Sequence, residues 1–358
     1  MSRKVTIRDV ANEAKVSIAT VSRVLNNKCA VRPKTRNTIL QAVEKLGYKY
    51  ENRVTEIPEP GMTVPEEGTA QLFYHKVMEE SNIIIVNIPT MSNPFYSKII
   101  DGIHASAEMH SLSVVFTSID INEKNVDAFI RLTDHLKAIG LIVLNSFSYS
   151  TLSILTSHLP VVQCCEYYDN PSASYVGIND YTATETAINY LLSMGRKKIS
   201  LVNGPLEFRY AQNRLAAYQS VMDSANIEVP ASWIIQLPEL NHDLAFTSIV
   251  QVLSSPNPPD CFFAVSDSLA AAAIKAAQYC NLRVPSDILV IGFDNTEISQ
   301  LATPSITTIK QPRYQLGYLA CELLVEKIAD PHSEIKRVKL PTELIIREST
   351  TSERISME

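Results

Sequence analysis

From residue 83 onward the chain alternates short apolar runs with longer amphipathic stretches, and that rhythm restricts its fold more than any other feature. The runs at 83–88, 113–117, 140–144, 161–163, 174–177, 199–203, 233–236, 261–264 and 288–293 have the length and composition of buried strands. Between them, helical patterning spans about 95–110, 123–138, 150–157, 181–194, 207–225, 242–254 and 267–280. Parallel strands need a crossover, usually a helix, so the pattern predicts parallel sheets covered on both faces. There are too many strands for one compact sheet, and 358 residues suffice for more than one domain. Two α/β lobes are expected, with a ligand cleft beyond the carboxyl ends of the strands.

The first 50 residues follow a different period. Ile7, Val10, Ala11 and Ala14 share one helical face, with Thr6 placed to cap it and Asp9 near its positive end. Val16 marks a short turn. Ser17 then caps a second helix with Val21, Val24 and Leu25 inward and Ile18, Ala19, Thr20, Ser22 and Arg23 outward. A third helix opens at Pro33, turns Ile39, Val43 and Leu46 inward and stops at Gly47. Two short helices across a tight turn, braced by a third, make a helix-turn-helix. Residues 1–50 hold eleven Lys and Arg against three acids, net +8; the remainder holds 21 basic and 35 acidic residues, net −14. A basic head on an acidic body suits nucleic acid, because neutralising phosphates releases counterions. The plainer alternative is a small bundle with a solvated basic face. Turn, caps and charge together favour double-stranded DNA.

Composition argues against several other classes. At 46% hydrophobic residues the core can be substantial, yet no apolar run reaches membrane-spanning length. The N-terminus is polar and basic without an apolar signal segment, so a cytoplasmic protein with no membrane partner is expected. Cys29, Cys164, Cys165, Cys261, Cys280 and Cys321 show no CxxC spacing, which predicts reduced thiols. The seven histidines are scattered, with no HExxH and no Ser-His-Asp spacing. The chain is therefore read as no enzyme, with no catalytic residue, no metal and no cofactor. An exported solute-binding protein, the alternative without a DNA role, needs a signal segment and no basic head.

Residues 51–81 are read as a linker. Glu51, Glu56, Glu59, Glu66 and Glu67 stand there among Pro58, Pro60, Pro65, Gly61 and Gly68, a composition poor for helix or core. A short helix is placed at 71–80.

The head also resembles a family. Thr6, Ile7, Arg8, Asp9, Val10 and Ala11, then Val16 and Ser17, the run from Ala19 to Asn26, Thr35 with Arg36, and Leu46, Gly47 and Tyr48 look like the headpiece of lactose-operon-repressor-type bacterial transcription regulators. The core joins in with Ser92 to Tyr96, Asn203 to Pro205, Ser266 with Asp267, Ile291 to Asn295, Thr307 to Pro312 and Leu344 to Thr350. The resemblance covers 3–50 and about 82–350. It implies a helix-turn-helix headpiece on a bilobal periplasmic-binding-protein-like core of two parallel doubly wound sheets. Lobe one is placed at about 82–179 and 311–338, lobe two at about 180–310 and 339–350, with three crossings between them.

On the head, the resemblance implies that Ile18, Ala19 and Arg23 read bases. Arg23 can donate two hydrogen bonds to guanine, whereas Ile18 and Ala19 can touch only thymine methyls or shape. Thr6, Ser17, Thr20, Ser22, Asn26, Asn27, Arg32 and Tyr48 are assigned to phosphate positioning. Lys15 stands where the family often has Gly, so positive φ is expected there. Ile57 falls at the position of the family's minor-groove wedge, but Pro58 and the neighbouring glutamates predict a flexible tether instead of a hinge helix.

In the core, the effector residues implied are Phe95 and Tyr96 after the run at 83–88, Cys165 and Glu166 after 161–163, Phe208 and Arg214 after 199–203, Ser266 after 261–264, and Asp294 after 288–293. Phe95, Tyr96 and Phe208 are expected to stack on a ring, with Arg214 and Asp294 on its polar edge. Each has a plainer reading: aromatics as core lids, Asp294 as a helix cap, Arg214 paired with a surface acid. Asn93 to Tyr96, Glu166, Ile291 to Asn295 and Gln311 to Tyr314 are most similar to the cytidine-responsive branch. A nucleoside effector is expected, with a sugar or sugar phosphate as the alternative. The resemblance further implies a homodimeric, allosterically controlled regulator, by family default a repressor, with the helix at 99–109 contributing to the dimer.

Overall fold

A computed structural model describes residues 10, 11, 13–16, 20, 21, 33–46, 81–168 and 172–351. The head and the core are separate compact units. In the head, Val10, Ala11, Ala14 and Val21 are buried with Ile39, Ala42 and Val43 of helix α1 (Pro33–Leu46). Lys15 adopts φ +54° in the turn after the first helical stretch. Lys45 pairs with Glu13 at 2.6 Å; both are exposed, and such pairs add little.

The core begins with β1 (Ile83–Asn87), α2 (Ser97–Met109), β2 (Ser113–Thr117), α3 (Val126–His135), β3 (Gly140–Val143), α4 (Tyr149–His158), β4 (Val161–Cys164) and β5 (Ser174–Ile178). It continues through α5 (Asp180–Ser193), β6 (Ile199–Asn203), α6 (Arg209–Ser224), β7 (Ile234–Gln236), α7 (His242–Leu253) and β8 (Cys261–Ala264). Then come α8 (Asp267–Tyr279), β9 (Leu289–Asp294), α9 (Glu297–Leu301), β10 (Thr307–Lys310), α10 (Arg313–Ala329), β11 (Arg337–Leu340) and β12 (Glu343–Ile345).

The strands form two six-stranded sheets, in the orders β11-β5-β4-β3-β1-β2 and β12-β10-β9-β8-β6-β7. All pairs are parallel except β12, which runs antiparallel to β10. The chain passes between sheets after β5, after β10 and between β11 and β12. One expected boundary moves. Lys339 and Leu340, placed in lobe two by the sequence reading, pair with Gly177 and Ile178 of the first sheet. Val338 and Leu340 are half-buried there while Arg337 and Lys339 point outward, the alternation of an edge strand.

The same alternation sorts the first sheet's faces. Ile84, Val86, Ile142 and Val162 share a core with Ile99 and Ile103 of α2 and Leu316, Ala320 and Leu324 of α10. Ile85, Leu141, Val143 and Val161 face the other way, onto Val126 and Phe129 of α3 and Leu152 and Leu155 of α4. Covered on both sides, the sheets leave only their strand ends free to build a site. Among the described residues no helix is long and apolar enough to cross a membrane.

Candidate effector site

The strand ends of the two sheets meet at a cleft of about 530 Å³. All eight residues singled out for effector contact line it: Phe95, Tyr96, Cys165, Glu166, Phe208, Arg214, Ser266 and Asp294. Asp180, Tyr210, Asp267 and Gln311 line it as well, beyond the effector residues expected from the sequence.

Aromatic rings come from both lobes. After β1, Pro94 opens a short 3-10 turn, Pro94–Tyr96, and the Asn93 side chain accepts from Phe95 N–H at 3.0 Å to hold it. Phe95 and Tyr96 then meet edge to face, 5.1 Å between centroids. Across the cleft, Phe208 occupies the N-cap position of α6 and stacks on Tyr210 at 5.7 Å. The Tyr210 hydroxyl is buried without a hydrogen-bond partner among the described residues. It sits against Gly204, where a Cβ would lie 2.5 Å from it, so the Asn203, Gly204, Pro205 turn makes room for this ring.

The charged groups are more committed than the sequence suggested. Arg214 donates from Nε and Nη2 to Oδ1 of Asp180, at 2.9 and 2.7 Å, and from Nη1 to the Val265 carbonyl at 2.7 Å. Its guanidinium lies 3.4 Å from the Phe293 ring centroid. Its partner is therefore a buried acid, correcting the plainer reading of a surface pair. Asp294 accepts from Gln311 Nε2 at 2.7 Å and makes no helix cap. Burial pushes its carboxyl up to about 8, against the pull of Arg214.

Glu166 follows Cys165, whose φ of +70° turns the chain into the cleft. Its carboxylate accepts from the backbone N–H of Arg209 at 2.9 Å and of Tyr210 at 3.2 Å. Helix α6 has no side-chain cap of its own, so a carboxylate from one lobe caps a helix of the other. Burial lifts Glu166 to about 7 despite those two donors. Ser266 caps α8 through Leu269 N–H, and Asp267 accepts from Thr296 N–H, Thr296 Oγ1 and Thr308 Oγ1. Burial raises Asp267 to about 6. Contact with Cys164, 3.7 Å between sulfurs, and burial raise the Cys165 thiol well above its ordinary range.

On the DNA side, Thr20 is half-buried in the second helical stretch. Thr6, Ser17, Ile18, Ala19, Ser22, Arg23, Asn26, Asn27, Arg32, Tyr48 and Ile57 lie outside the described residues, as do the short helix placed at 71–80 and the linker before residue 81.

A small helical head joined to two α/β lobes around a polar, aromatic-lined cleft defines a ligand-responsive regulator. Residues 6–50 match the bacterial regulatory proteins of the lacI family, and residues 188–350 match a periplasmic binding protein-like domain. The chain is 32% identical to the HTH-type transcriptional repressor CytR of Escherichia coli (strain K12) over 348 residues, 96% of each. It is 30% identical to the ribose operon repressor of Halalkalibacterium halodurans over 353 residues, 96% of this chain and 97% of the relative. The lac repressor dimer bound to operator and the anti-inducer ONPF superposes with a TM-score of 0.68 at 25% identity, over 98% of this chain and all of that one. The chain belongs to the lacI family: it is a DNA-binding transcriptional repressor with an effector-binding core.

Proposed function

We propose that the cleft takes an uncharged nucleoside, and that its binding alters the affinity of a homodimer for a near-palindromic operator. The observation that carries the ligand class is charge. Glu166 and Asp294 keep their protons for much of the time near neutral pH, but Asp180, Glu207, Glu239 and Asp267 still line the cleft against Arg214 alone, and Asp180 already holds two of that guanidinium's nitrogens. A phosphate entering such a field is repelled, so a nucleotide or sugar phosphate is disfavoured. Phe95, Tyr96 and Phe208 offer ring faces to a base, while Asp294 with Gln311 suits ribose hydroxyls. A plain sugar is the second reading, favoured by the likeness to a ribose operon repressor.

In this reading Ile18, Ala19 and Arg23 contact base edges, the remaining head candidates position phosphates, and Ile57 meets the minor groove. The dimer acts in the cytoplasm. Helix α2 buries Ile99, Gly102, Ile103, Ser106 and Ala107 within its own protomer, which leaves its outer edge around Met109 for a dimer contact. An effector shifts operator affinity only through unequal binding to two lobe arrangements. The test is a thermal-shift screen of the full chain against nucleosides, their 5′-phosphates and sugars. A nucleoside at a hundred times its dissociation constant should add about 2.7 kcal/mol, and its phosphate nothing. A response to sugars alone overturns the nucleoside reading, and a response to phosphates overturns the charge argument.

A further inference from the structure

Arg313 opens α10 where local preference is against it. A cation in the first turn meets the positive end of the helix dipole. The residue is also only 7% exposed, so its charge is largely withdrawn from water. It does not line the cleft, and among the described residues its hydrogen bonds go only to backbone carbonyls. Nη1 donates to Pro94 O at 3.1 Å and to Phe95 O at 3.4 Å; Nη2 donates to Asn295 O at 2.9 Å.

Those carbonyls belong to different lobes. Pro94 and Phe95 form the aromatic turn after β1, whereas Asn295 follows Asp294 at the end of β9. Asp294 holds φ of +105°, a conformation that a non-glycine residue keeps only when its surroundings fix it, and Asn295 follows at +53°, which asparagine reaches more easily. Asn295 is held on its other sides too, donating from N–H to Thr308 Oγ1 and accepting at Oδ1 from Arg347. The bond that Arg313 donates to the Asn295 carbonyl completes this set and ties the corner to the opposite wall.

We propose that Arg313 is a positioning residue for the effector response: its planar fork holds the Phe95 turn of one lobe in register with the Asp294 corner of the other. The ligand arm of the test rests on the cleft being the nucleoside site; the ligand-free arm rests on the geometry alone. Lysine keeps the charge but concentrates it on one nitrogen, so it does not reproduce a fork spanning both lobes.

The experiment uses full-length wild type, Arg313→Lys and Arg313→Met. In the ligand-free arm, amide exchange at Phe95 and Tyr96 and at 294–296 should rise together by about tenfold in both variants, with α3 and α4 unchanged. A uniform rise across the core, or no rise, overturns the proposal. In the ligand arm, operator DNA selected by the wild type from random sequence is titrated with and without the nucleoside giving the largest thermal shift. The ratio of the two affinities should shrink by about fivefold in both variants, while ligand-free operator binding stays close to wild type. An unchanged ratio, or rescue by Lys, overturns the strut. If the wild type answers to no nucleoside, the nucleoside reading fails and amide exchange alone decides the role of Arg313.

Discussion

Asp180 and Arg214 stand 34 residues apart, yet they make the most deeply buried ion pair of the described core, with side-chain exposures of 8% and 5%. Withdrawing two charges from water is unfavourable, and the pair persists because a carboxylate, a carbonyl and an aromatic face together satisfy the guanidinium. Removing one partner leaves the other charged and dry. Asp180→Ala should therefore destabilise the core by about 3–5 kcal/mol, read as a lower urea midpoint with an unchanged m-value. A loss below about 1 kcal/mol would mean that water reaches the pair in solution. Asp294 was legible in the sequence because groups that follow strands face the cleft, whereas Arg214, inside α6, was legible only through the family resemblance. Applied to the run at 174–177, the same rule finds Asp180. Tyr210 was not legible by that rule, since its place inside α6 depends on which way the helix turns. Arg313 stands in the sequence only as part of a motif, and nothing local shows that its partners lie in both lobes.

At the scale of elements, α2 and α10 cross with almost no side chain between them. A Cβ at Gly102 would fall on the Tyr314 carbonyl and one at Gly317 on the Ile99 carbonyl, backbone that cannot rotate aside. Alanine gains up to about 1 kcal/mol over glycine inside a helix, but overpacking at a tight contact costs about 1–3 kcal/mol. The clash should win: Gly102→Ala and Gly317→Ala are each expected to lower the thermal midpoint. A rise in midpoint would show that the helices part easily. This crossing also explains what the periodicity hid. Helix α10 buries Leu316, Ala320, Cys321 and Leu324 while Leu319, Leu323, Val325 and Ile328 are half-buried, so no single apolar stripe marks it. Strands β11 and β12 carry Arg337, Lys339 and Glu343 on exposed edges and lack the continuous apolar run that revealed the inner strands.

For the molecule as a whole, the cleft's acidity sets how stability should vary with pH. Asp294, Glu166 and Asp267 rest at about 8, 7 and 6 in the folded core, against ordinary values of 3.8, 4.5 and 3.8. The folded chain therefore keeps protons that the unfolded chain releases. Their contribution is complete below the unfolded values and is lost as pH climbs through the folded ones, each proton changing stability by about 1.4 kcal/mol per pH unit. Asp287, held down to about 2 by Arg283, has the opposite sign but acts only at lower pH and does not enter this window. The thermal midpoint should fall from pH 6 to about pH 8 through Glu166 and Asp294, the share of Asp267 being lost already by about pH 6, and Asp294→Asn should flatten the upper part of that slope by removing the group that titrates last. A midpoint that rises over this range would mean the three carboxylates are ionised and hydrated in solution, and that the lobes stand further apart than the bonds of Glu166 to Arg209 and of Arg313 to Asn295 allow.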